Sequence, residues 1–112
     1  MSYQPRRPLD SARKRMVTRQ QCSDLISYGQ ITTRLSFART TQRYFEKLIT
    51  LSKTNDLVSK RKAYSIVLRT SKHTRQELVQ KLFEELGKKY QNRKGGYTRL
   101  LKTPKGFLVQ LV

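Results

Sequence analysis

The sequence predicts an α+β domain: about four helices packed on a small three-stranded antiparallel sheet, preceded by an extended basic N-terminal arm. Three observations carry this. Apolar residues recur at spacings of three and four from the region after Asp10 to Tyr90, the period of amphipathic helices. After Tyr90 that period is lost, and two short apolar segments flank turn residues in the manner of a hairpin. With 112 residues, the chain has the length of one domain with one modest core.

Each element has its own signal. Residues 1–9 form the arm: Pro5 and Pro8 resist helix and hold Arg6 and Arg7 between them. Residues 10–112 form the single domain. Asp10 is placed to cap a helix over Ser11–Tyr28, with Leu9 as a staple and Ala12, Met16 and Ile26 on its apolar face. Gly29 ends it, and the β-branched Gln30–Thr33 reads as a short strand. A second helix runs from Ser36 to about Lys53, with Ala38, Thr41, Phe45, Leu48 and Ile49 on one stripe. Asp56 caps a third, reaching to about Arg69, in which Ala63 pairs with Val67 and Tyr64 with Leu68. Thr74-Arg75-Gln76-Glu77 is a capping box for a fourth, striped by Leu78, Leu82, Phe83, Leu86 and Tyr90. Asn92 to Gly96 is a turn, Tyr97–Lys102 a strand, Thr103 to Gly106 a second turn and Phe107–Val112 another strand.

Composition bears on function. Lys and Arg number 25 against 7 Asp and Glu, a formal charge of +18. Self-repulsion of that size opposes compaction, and a polyanion relieves it. The commonest cellular polyanion is nucleic acid, bound through phosphate neutralisation and counterion release. The apolar fraction of 36% is below the typical value of about 45–50%, as a small core under a basic shell requires.

The charge is concentrated on three elements. Arg6, Arg7, Arg13, Lys14, Arg15 and Arg19 stand near the start. Lys60, Arg61 and Lys62 form a run on the third helix. Lys88, Lys89, Arg93, Lys94, Arg99, Lys102 and Lys105 follow in a stretch without an acid. A single run such as Lys60 to Lys62 reads equally well as a solvated face; three together point to a polyanion. Gly95 and Gly96 form a turn, and also permit a backbone to approach a phosphate beside Arg93, Lys94 and Arg99. Tyr3, Tyr97 and Phe107 lie near basic residues and offer rings for unpaired bases, although for Tyr97 and Phe107 a place in the core is the plainer reading.

Catalysis finds little support. His73 is the only histidine and sits in a polar linker, where a solvated imidazole is expected. Cys22 is the only cysteine, so an intrachain disulfide is impossible; a helical cysteine of this kind is a small buried apolar residue. There is no zinc-ligand spacing and no Walker loop, and the few carboxylates are scattered. The expectation is a protein that is not an enzyme and has no cofactor, metal or small-molecule substrate. No stretch suits a membrane helix and the first residues are not a secretory signal, so the expected location is cytoplasmic.

Three ordered segments carry a family resemblance: Leu48-Ile49-Thr50-Leu51-Ser52-Lys53-Thr54, Lys81-Leu82-Phe83-Glu84-Glu85-Leu86, and Gly95-Gly96-Tyr97-Thr98-Arg99-Leu100-Leu101-Lys102. Arg19, Gln20, Ile31, Thr33, Leu35, Ala38, Arg43 and Glu46 fit the same pattern. In these the chain resembles bacterial large-subunit ribosomal protein seventeen over about residues 16–112. The glycine-tyrosine segment is the most specific part. The resemblance implies helices on a three-stranded sheet with an N-terminal extension. It implies binding to large-subunit rRNA near the exit of the peptide tunnel. It also implies ribosomal neighbours, those numbered twenty-two and thirty-two. Thr18 replaces the family's usual histidine, the arm differs, and the hairpin loop is cut down to Thr103-Pro104-Lys105-Gly106. A free nucleic-acid-binding regulator is the competing reading, but it calls for one recognition helix. Here the basic residues are spread over arm, helices and hairpin, which suits multi-sided rRNA contact.

Overall fold

A computed structural model describes residues 11–112. The arm, the Leu9 staple, the Asp10 cap and the side chains of Tyr3, Arg6 and Arg7 lie outside the described residues. The elements are α1 (Ser11–Tyr28), β1 (Gln30–Thr33), α2 (Leu35–Ser52), α3 (Leu57–Ile66), α4 (Arg75–Lys81), a π-helical turn (Leu82–Leu86), α5 (Gly87–Lys89), β2 (Thr98–Thr103) and β3 (Gly106–Leu111). α4, the wide turn and α5 are one unbroken helical body, the fourth. It packs with the other three on an antiparallel sheet of order β1-β3-β2. The architecture is α+β, as the sequence predicts.

The stripes define the core. Ala38, Phe45, Leu48 and Ile49 of α2 meet Leu78, Leu82, Phe83 and Leu86 of the fourth helix, and Leu25 and Ile26 of α1 close the same cluster. Val109, buried in the central strand, joins it from the sheet. Cys22 is fully buried in α1, and burial pushes its thiol up to about 12, so it is a small core side chain that stays protonated at neutral pH.

Several expected details are corrected. Met16 is half-exposed and Ala12 exposed, because residues 12–16 of α1 all project past the core. α2 begins one residue early, at Leu35, with Arg34 as an N-cap that makes no side-chain bond. α3 stops at Ile66, where Val67 turns extended. Tertiary contacts stop it: Arg19 donates to the carbonyls of Ser65 (2.8 Å) and Ile66 (2.9 Å), and Ser23 Oγ accepts from the Leu68 N–H at 2.8 Å. His73 is not a solvated linker residue. Its Nδ1 lies 2.7 Å from Ser27 Oγ, which also meets Thr70 Oγ1 at 3.1 Å, so the loop after α3 is pinned to α1.

Asp56 caps α3 as expected, accepting from the Ser59 N–H at 2.7 Å. That bond favours the carboxylate and lowers the pKa from its ordinary value. A depressed folded-state value means that this stabilisation is present above the unfolded value and lost as pH falls through the folded one. Asp56→Ala should therefore lower the melting temperature at neutral pH and narrow the gap to wild type in acid. A gap that stays constant on acidification would exclude the carboxylate as its source.

Candidate nucleic-acid interface

The exposed start of α1 carries Arg13, Lys14 and Arg15 away from the core. One helical turn on, Arg19 is half-buried and behaves differently. Its Nε and one Nη hold the last carbonyls of α3, where a cation also complements the helix C-terminus. Its guanidinium positions α3 against α1, a structural task that its place in a basic run does not reveal.

Lys60, Arg61 and Lys62 are exposed, but consecutive helical positions are turned about 100° apart, so they do not form one face. Ser59 and Ala63 mark the buried side of α3. Lys60 lines a cleft with Lys88 of α5, while Lys62 lines another with Tyr44 and Lys47 of α2. The run that is compact in sequence thus serves two sides of the fold, and Lys88 and Lys47 extend it.

The turn from Arg93 to Gly96 is built from within. Gly95 and Gly96 take φ of 120° and 62°, the left-handed range that favours glycine. The Gly96 N–H donates to Glu46 Oε1 of α2 at 2.9 Å. A carboxylate therefore occupies the position that the sequence reading gave to a phosphate at this N–H. Lys53, at the end of α2, donates to the Arg93 carbonyl and to Tyr97 Oη, the latter at 2.6 Å. The Tyr97 hydroxyl in turn donates to the Arg93 carbonyl at 3.0 Å. Tyr97 is buried, its ring 5.1 Å from that of Tyr90, so it cannot stack on a base; its role is to anchor the turn. Phe107 is half-buried against the core. What the turn offers outward are the side chains of Arg93 and Lys94, both exposed.

Arg99 and Lys102 lie three residues apart on β2 and so project from opposite faces. Across the sheet's open face, Arg99 Nε donates to Gln110 Oε1 at 2.9 Å, and Gln110 Nε2 to Gln30 Oε1 at 3.4 Å. Sequence reasoning missed Glu46 and Lys53 as builders of this site. They were visible only as members of the resembling pattern, since their partners lie 50 and 44 positions away.

A sequence model of the family described as ribosomal protein L17 matches residues 17–107, from the first half of α1 into β3. The chain belongs to the ribosomal protein L17 family. It is 49% identical over 102 residues to large ribosomal subunit protein bL17 of Ureaplasma parvum serovar 3, covering 91% of this chain and 86% of that one. The bL17 of Malacoplasma penetrans is 47% identical over the same shares, and that of Thermoanaerobacter sp. strain X514 is 41% identical over 86% of this chain and 79% of its own. The L17 match takes in Glu46, Lys53 and the whole glycine turn. It begins after Arg6, Arg7, Arg13, Lys14 and Arg15. Among the described residues, no helix is long and apolar enough to cross a membrane.

Proposed function

We propose that this protein is a structural component of the large ribosomal subunit, bound to large-subunit rRNA near the peptide tunnel exit of a cytoplasmic ribosome. Ribosomal proteins numbered twenty-two and thirty-two are its proposed neighbours. Membership of the L17 family supports the subunit. One observation supports rRNA as the partner: exposed cations stand on the start of α1, on two sides of α3 and on the turn before β2. No single flat or grooved partner reaches all of these, whereas folded rRNA surrounds a protein on several sides. Arg13, Lys14, Arg15, Lys60, Arg61, Lys62, Arg93, Lys94, Arg99 and Lys102 are the proposed phosphate ligands, with Arg6 and Arg7 on the arm.

Sedimentation of a lysate in magnesium tests the reading, since the protein should travel with large subunits and stay with them. A protein found free or on small subunits would overturn it. Changing Arg13, Lys14 and Arg15 together to Gln should reduce the slope of log affinity against log salt by up to about three contacts' worth, roughly 0.7–0.9 each. An unchanged slope would remove this patch from the interface.

A further inference from the structure

Between α3 and the fourth helix lies a cleft of about 540 Å³, within the roughly 300–1,000 Å³ of small-ligand clefts. We infer that this cleft receives one unpaired RNA base, stacked on Tyr64, with the adjoining phosphates held by Lys60 and Lys88. The inference rests on the rRNA-binding reading and adds to it a site read by base rather than by backbone charge.

Tyr64 is 42% exposed on α3, turned about 120° from the buried edge that Ser59 and Ala63 mark. It lines two clefts at once. The Arg75 guanidinium carbon lies 5.1 Å from its ring centroid, and Arg75 lines only the second cleft. The first keeps its own access to the ring. Arg75 holds the ring from the second cleft's side by a cation–π contact. Phe83 and Val79 give the cleft a nearly buried apolar lining. The rim is polar. Lys60 and Lys88 supply charge complementary to phosphate, which an apolar protein segment would not need. Glu84, beside them, accepts from Gln80 Nε2 at 3.4 Å. A carboxylate there repels phosphate but accepts from an exocyclic amine, so an amino-bearing base such as adenine fits best.

The test uses the full chain and two probes of equal charge, hexaadenylate and an abasic ribose-phosphate hexamer. The wild type should bind hexaadenylate about tenfold more tightly, since base–aromatic stacking is available only to it. Tyr64→Leu should bring the two within about twofold, and Tyr64→Phe should restore the difference. Lys60→Gln with Lys88→Gln should weaken both hexamers alike and lower the salt slope. In the unmodified protein, photo-crosslinking with a hexaadenylate carrying 8-azidoadenosine should mark Tyr64, a readout that stands even if the leucine variant folds poorly. Equal binding of the two hexamers by the wild type, as expected if a neighbouring protein's apolar side chain fills the cleft, overturns the base site and leaves the rRNA reading intact. So does a preference that survives Tyr64→Leu in folded protein, or crosslinks confined to other residues. Failure of the wild type to bind either hexamer overturns the base site, whereas the rRNA reading falls only if the protein also fails to travel with large subunits.

Discussion

Gly87→Ala will destabilise the domain, although alanine is the better helix former by about 1 kcal/mol. The reason is where Gly87 sits. A Cβ there would lie 2.7 Å from the Ser52 carbonyl oxygen and 3.0 Å from its Oγ, a separation that no side chain can relieve because the nearer atom is backbone. α5 crosses the end of α2 on bare glycine, and the π-helical turn, closed by the Gly87 N–H on the Leu82 carbonyl, feeds the chain into that crossing. Overpacking of this kind costs about 1–3 kcal/mol with alanine and more with valine. At about 4–8 °C per kcal/mol for a domain of this size, Gly87→Val should lower the melting temperature by more than 10 °C. Calorimetry of the two variants decides the matter. An alanine variant more stable than wild type by the full helix-propensity gain of about 1 kcal/mol would mean that the two helices do not approach this closely.

Changing Arg93 and Lys94 to Gln should leave the melting temperature nearly unchanged and reduce the yield of the protein in purified large subunits. Both side chains are exposed and the turn is held by other groups: Glu46, Lys53 and Tyr97. Gly96→Val should instead lower both quantities. Its φ of 62° costs a β-branched residue about 1–3 kcal/mol, and the open space around an added Cβ, with nothing nearer than Arg93 Nη2 at 3.9 Å, means the cost is conformational rather than steric. Thermal melts beside incorporation yields separate the turn's shape from its charge. Normal incorporation of the Arg93/Lys94 variant would take the turn out of the RNA interface.

The contrast between these variants shows what the sequence could and could not reveal. The stripes of α2 and the fourth helix were legible because burial repeats at the helical period within one element. The hairpin was legible because Gly95, Gly96 and Gly106 punctuate it. The end of α3 was not, since Ile66, Val67 and Leu68 continue an apolar pattern and only Arg19 and Ser23, more than 40 positions back, interrupt it. The same holds at the candidate interface. Exposed cations are readable from composition, but which cation faces outward depends on folding. Arg19 and Lys53 turn out to bond backbone carbonyls within the domain, and Tyr97 has its ring inside, for reasons that lie on other elements.

The strand order β1-β3-β2 has a consequence for how the protein is made. The middle strand is the last to be synthesised, and Gln30 waits 80 positions for Gln110. As the chain emerges, α1 and α2 can meet early, yet β1 has no partner until β3 arrives, and the sheet forms in one late step. Long-range pairing of this kind slows folding, and an unpaired strand edge left waiting invites wrong partners. β1 is only four residues long and polar but for Ile31, Gln30-Ile31-Thr32-Thr33. Short, polar strands attract few such partners. The brevity of β1 therefore matches its long wait during synthesis.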